Sequence, residues 1–187
     1  MFITLTEKRV FQRISGDLIV SFRQSWYSVG QLIMEEMRSV VIKILVIHGP
    51  NLNLLGKRDP AKYGTITMSE INEQLQRMAG ELDCELVCFQ SNHEGAIIDF
   101  LQLETSRAAD GVIINPGALV RYGYSLRQAL IDLGKPVIEV HMSDIHRTGI
   151  NQAVNVLDDV RVDQVVGLKE RSYYQALAKL VQYLRAK

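Results

Sequence analysis

Ile44-Leu45-Val46-Ile47-His48-Gly49-Pro50-Asn51-Leu52-Asn53-Leu54-Leu55-Gly56-Lys57-Arg58-Asp59-Pro60-Ala61-Lys62-Tyr63-Gly64 runs from a wholly apolar segment into a connection rich in Asn, Gly and Pro. An apolar run without alternation reads as a strand buried on both faces. A polar connection leaving such a strand is where open α/β sheets bind ligands. Asn51, Arg58 and Tyr63 all lie on that connection.

The pattern repeats outward from there. Strands are expected at 42–48, 84–90, 111–115, 136–141 and 163–167, mostly Val, Ile and Leu. Helices fill the gaps. Thr67-Met68-Ser69-Glu70 reads as a capping box, followed by an apolar stripe of Met68, Ile71, Leu75, Met78 and Leu82. Ser91-Asn92-His93-Glu94 reads as a second capping box, ahead of Ile97, Ile98 and Leu101. Ser125 is expected to start a third helix that stops at Gly134, with Pro136 beyond. A last helix is expected over 170–185. Five such units predict an α/β fold: a flavodoxin-like, three-layer, doubly wound sheet of five parallel strands in the order 2-1-3-4-5. In that order the loops after strands 1, 3 and 4 open on one crevice. They are the Asn51–Tyr63 loop, the Asn115-Pro116-Gly117-Ala118 loop and the His141-Met142-Ser143 loop.

A length of 187 residues suits one such domain at 41–187, preceded by an N-terminal extension at 1–40. Ser25 to Val40 spaces Trp26, Val29, Ile33 and Met37 as an amphipathic helix. The extension reads equally as an accessory helix or as sequence upstream of the true start. Lys+Arg and Asp+Glu both number 21, which gives neither a nucleic-acid footprint nor a membrane-surface patch. No apolar run has the length of a membrane span, and the N-terminus lacks the pattern of a secretory signal. Cys84 and Cys88 stand four apart on one strand, roughly 13 Å at ~3.3 Å per residue. That is too far for a disulfide, and two reduced thiols fit a cytoplasmic protein.

The loops carry specific chemistry. A phenol ionises near pH ~10, and lowering that by ~2 units takes about 2.7 kcal/mol. Arg58 is the nearby cation able to favour a Tyr63 phenolate, which would serve as a base toward carbon. Spacing alone also allows Tyr63 to pack over the loop with Arg58 in solvent. In Ile138-Glu139-Val140-His141, residues two apart point the same way, so Glu139 can orient His141. If a helical turn begins at Met142-Ser143, its N–H groups can hold a substrate carboxylate, with Asn51 and Asn115 adding hydrogen bonds. His141 and His146 lack a supporting third ligand, so no metal site is expected. His93 and His48 read as structural. The phosphate-cradling and nucleophile-elbow glycine motifs are absent, which argues against nucleotide or flavin cofactors.

At these residues the chain resembles type II 3-dehydroquinate dehydratase. The likeness is carried by His48 to Gly56, Arg58 to Gly64, Gln90-Ser91-Asn92-His93-Glu94-Gly95, Asn115 to Ala118 and Ile138 to Ser143, and it extends over nearly all of 42–187. It implies dehydration of 3-dehydroquinate to 3-dehydroshikimate, a step of aromatic biosynthesis or quinate degradation, without metal or cofactor. It implies a trimer-based homo-oligomer, a dodecamer. Tyr63 would be the base and Arg58 would favour its phenolate. Asn51 would help hold the enolate through water. His141, oriented by Glu139, would be the acid, while Asn115 and the Met142-Ser143 backbone would bind the carboxylate.

Three positions depart from the family pattern. Arg121 stands where the family carries a substrate-binding His, Gln128 where an Asp reaches a neighbouring subunit's site, and Gln152 where an Arg touches a substrate hydroxyl. A fixed cation does not replace a titrating imidazole. Two further readings therefore stand beside the dehydratase. One is a paralogue that dehydrates a related cyclic hydroxy-keto acid. The other is a non-catalytic small-acid-binding protein on the same scaffold.

Overall fold

The computed structural model describes residues 41–145 and 154–187, so the expected helix within 25–40 and Gln152 lie outside the described residues. Ile42–His48 (β1), Cys84–Gln90 (β2), Gly111–Asn115 (β3), Val137–His141 (β4) and Asp163–Val166 (β5) form one sheet. Every pairing is parallel and the order is β2-β1-β3-β4-β5. This is the flavodoxin-like arrangement, with each strand within one residue of its expected bounds.

The three layers follow from the two-residue period of a strand. Ile44 and Val46 of β1, Ile113 of β3 and Ile138 and Val140 of β4 join one apolar cluster. It is covered by Met68–Glu81 (with Ile71, Leu75 and Ala79) and by Arg171–Arg185 (with Tyr173, Ala176, Leu177 and Leu180). Leu45 and Ile47, Val112 and Ile114, and Val137 point to the opposite cluster. Glu94–Gln102 and Tyr124–Leu133 cover that face through Ile97, Leu101, Leu126 and Leu130. Numbered in chain order, the helices are α1 (Pro60–Tyr63), α2 (Met68–Glu81), α3 (Glu94–Gln102), α4 (Glu104–Arg107), α5 (Tyr124–Leu133) and α6 (Arg171–Arg185).

The first capping box forms as expected: Thr67 Oγ1 accepts from Glu70 N–H at 3.2 Å, and Glu70 Oε2 accepts from Thr67 N–H at 2.8 Å. The second does not. Ser91 Oγ accepts from His93 N–H at 2.9 Å, and Glu94 Oε1 reaches across to Leu126 N–H at 2.9 Å. The reason is local. α5 begins at Tyr124 rather than Ser125, behind Gly123, which has no capping side chain. Glu94 therefore satisfies an orphan donor in the first turn of α5 instead of its own helix. At the other end Gly134 takes φ 66°, the left-handed stop expected there.

Gly49 is required where the β1 and β3 loops meet. Its N–H donates to Asn115 O at 2.8 Å. A Cβ there would sit 2.6 Å from Pro116 O and 2.9 Å from Asn115 O, both backbone atoms. Gly49→Ala is expected to cost about 2–3 kcal/mol by forcing the two loops apart, read as a lowered urea midpoint.

Candidate active site

A cleft of about 210 Å³ opens at the carboxyl edge of the sheet, lined by residues of all three expected loops: Asn51, Leu52, Arg58, Tyr63, Asn115, Gly117, Ala118, His141, Met142 and Ser143 among them. Pro50 and Ile145 complete the lining. The switch of winding between β1 and β3 creates this opening.

The first loop is shaped by short-range chemistry. Asn51 adopts φ 67°, a left-handed conformation that Asn tolerates. Its N–H donates to Asn92 Oδ1 at 2.8 Å, and Gln90 Nε2 donates to the same oxygen at 3.2 Å. Asp59 caps α1 by accepting from Ala61 N–H at 2.9 Å, and Pro60 occupies the first helical position. This single turn was not expected from the sequence. It brings Tyr63 back toward Arg58, whose Nη2 donates to the Tyr63 hydroxyl at 3.0 Å. The guanidinium also stacks on the ring, 3.9 Å from its centroid.

On the other side, His141 ends β4 and its Nε2 meets Glu139 Oε1 at 2.5 Å. Glu139 is fully buried. Its carboxylate also accepts from Asn155 Nδ2 at 2.9 and 3.0 Å, Arg161 Nη1 at 2.5 Å and Gln164 Nε2 at 3.0 Å. Burial pushes its pKa up, but hydrogen bonds from His141, Asn155 and Arg161 outweigh that and bring it down to about 2. Sequence reasoning missed all three of these partners beyond His141. A signal existed: a carboxylate inside Val-Ile-Glu-Val-His needs a counter-charge, and the neighbouring strand places Gln164 in register with Glu139.

Asn115 is held from behind. Its Oδ1 accepts from Gly117 N–H at 3.2 Å. Tyr173 Oη lies 2.8 Å from His48 Nδ1, and His48 Nε2 lies 2.8 Å from Asn72 Oδ1. With the Asn72 oxygen as acceptor, Nε2 carries the imidazole proton and Nδ1 accepts from Tyr173. His48 is thus the fully buried middle link of a polar chain from Asn72 to Tyr173.

Some expected site residues lie elsewhere. Met142 and Ser143 line the cleft, but the chain bends there without starting a helical turn, so no helix N-terminus is formed at these two residues. Arg121 ends the 3-10 turn Gly117–Arg121 and does not line this cleft. Gln128 is exposed on α5 and donates to Asp132 at 2.8 Å, so it serves nothing in its own chain's cleft.

Two buried groups make the fold acid-labile. Burial lowers the His48 pKa to about 4, against a smaller raising effect of its bond to Asn72. The unfolded chain therefore takes up this proton below the ordinary imidazole value, and stability falls as pH drops toward 4. For Glu139 the depressed value means that stability present above the ordinary carboxylate range is lost as pH falls toward 2. Urea unfolding is expected to lose about 2 kcal/mol between pH 7 and 5, a step that His48→Asn removes, and a further loss below pH 4.5 that His48→Asn leaves in place.

A flavodoxin-like sheet sets Arg58, Tyr63 and His141 around one cleft at its carboxyl edge, with Glu139 behind His141. Residues 42–181 match the family model for class II dehydroquinase. The 3-dehydroquinate dehydratase of Roseiflexus castenholzii is 51% identical over 140 residues, covering 75% of this chain and 88% of that one. That of Halothermothrix orenii is 44% identical over 143 residues, covering 76% and 96%. The crystal structure of type II dehydroquinase from Butyrivibrio crossotus superposes with a TM-score of 0.72 at 37% identity, covering 76% of this chain and 99% of that one. The chain belongs to the class II dehydroquinase family.

Proposed function

We propose that this chain is a 3-dehydroquinate dehydratase, a hydro-lyase, that works through an enolate with Tyr63 as base and His141 as acid. The observation that carries the reading is the meeting of Tyr63 and His141 in one cleft, the first bonded by Arg58 and the second by Glu139. Tyr63 removes a proton from the carbon between the ketone and the carbon bearing the hydroxyl. The electron pair moves onto the ketone oxygen, which Asn51 helps to hold through water. A guanidinium hydrogen bond is stronger to an oxyanion than to a neutral phenol, so Arg58 favours the oxygen in its basic form. The enolate then collapses, the carbon–oxygen bond breaks and His141 supplies the proton that lets the hydroxyl leave as water. Tyr63 ends with one proton more and His141 with one fewer, and exchange with solvent resets both. Asn115 and the backbone at Met142-Ser143 bind the carboxylate.

The family resemblance also supports a trimer-based dodecamer of the 21.1 kDa chain. Gln128, exposed on α5, would then meet a neighbouring subunit. Sedimentation tests the assembly. Turnover of 3-dehydroquinate, followed by the absorbance of its conjugated enone product, tests the activity. Efficient turnover disposes of the paralogue and of the non-catalytic binder; no turnover refutes the dehydratase.

A further inference from the structure

Arg161 lies outside the cleft lining and makes no part of the proton-transfer set described above, yet its guanidinium is committed to that set from behind. It donates to Glu139 Oε2 at 2.5 Å while His141 Nε2 holds Oε1, so one buried carboxylate is shared between a permanent cation and an imidazole. The second arm of the guanidinium pairs with Asp158, which is 65% exposed. Arg161 itself is 19% exposed, so solvent screens it little. We propose that Arg161 is a positioning residue that sets the proton affinity of His141 through Glu139, allowing the imidazole to give up its proton as an acid.

The argument is one of charge balance. Without a cation on Oε2, the only counter-charge to a desolvated Glu139 among the described residues is a protonated His141. Releasing that proton would leave an unpaired charge in the interior, which is costly. The imidazole would then hold its proton tightly, and a general acid that will not release is a poor one. Arg161 balances Glu139 permanently, so His141 can pass between its two forms. Asn155 and Gln164 supply hydrogen bonds to the same carboxylate but no charge. The other charged groups near His141 among the described residues are engaged as follows. Arg58 and Tyr63 line the same cleft from the first loop and bond each other. Asp144 sits on its own loop against Gly167. Asp163 at the start of β5 is paired with Lys179 of α6.

The inference rests on the dehydratase reading for its meaning, but its test does not need activity. The readout is the pH at which His141 gains its proton, followed by imidazole NMR in the full chain. Arg161→Gln is expected to move that midpoint upward by about one unit, and Arg161→Lys, which keeps the charge, by less than about a third of that. If the wild type turns over 3-dehydroquinate, Arg161→Gln should also lower kcat at least about tenfold with KM changed by less than about threefold, and Arg161→Lys should restore most of it. Should Arg161→Gln not be recovered folded, Asp158→Asn decides. It frees the guanidinium for Glu139 and should lower the midpoint. Asp159→Asn removes an equal charge one residue on, but its carboxylate pairs with Arg127 and should leave the midpoint in place. An unmoved midpoint in Arg161→Gln overturns the proposal. So does an equal shift in Asp158→Asn and Asp159→Asn, which would mark a long-range charge effect. Failure of the wild type to turn over substrate refutes the dehydratase reading and leaves the NMR result to judge Arg161 alone.

Discussion

Tyr63→Phe is expected to lower kcat on 3-dehydroquinate by about 10³-fold and to leave KM within about threefold. The ring, its stacking with Arg58 and the loop it closes all survive the substitution, because Arg58 sits over the ring face as well as against the hydroxyl. Only the oxygen that would take the proton is lost. A general base contributes to the transition state and not to the resting complex, so the effect belongs in kcat. Steady-state kinetics with the enone absorbance measures it, and circular dichroism checks the fold. A Tyr63→Phe variant with unimpaired kcat would remove the base from the mechanism and with it the reading of this cleft.

Glu139→Gln should act on two observables together. It removes the one anion that serves both Arg161 and His141 in a site with no exposure at Glu139. Breaking one side of a buried ion pair is costly, and Arg161 keeps only its exposed partner Asp158, so the loss should be about 3 kcal/mol. The urea midpoint should fall accordingly, and the loss of stability below pH 4.5 assigned to Glu139 should vanish with the carboxyl. The imidazole also loses the group that fixes its orientation, so kcat should drop by about 10²-fold. Wild-type stability in this variant would contradict the buried charge pair, and wild-type kcat would show that His141 needs no carboxylate behind it.

The five strands and their order were legible because they are buried on both faces. Ile44-Leu45-Val46-Ile47 leaves no polar side for water, and such a run tolerates only a sheet covered by helices. The cleft followed from topology once the strands were placed, since a 2-1-3-4-5 winding brings the first, third and fourth loops together. The second capping box misled because Ser91-Asn92-His93-Glu94 has the right letters, while Glu94 found a more needful donor on another helix. At Met142-Ser143 the sequence left a helix start open, and the chain bends there.

Periodicity and burial, which are properties of neighbouring residues, therefore determined by themselves the α/β class, the sheet order and the loops that bear Tyr63, Asn115 and His141. What stands behind those residues was decided only by tertiary structure. Arg161 reaches Glu139 across 22 positions and Tyr173 reaches His48 across 125. Such partners are chosen by the need to satisfy a buried charge or ring nitrogen wherever the packed chain happens to offer a donor, and no local pattern encodes that choice.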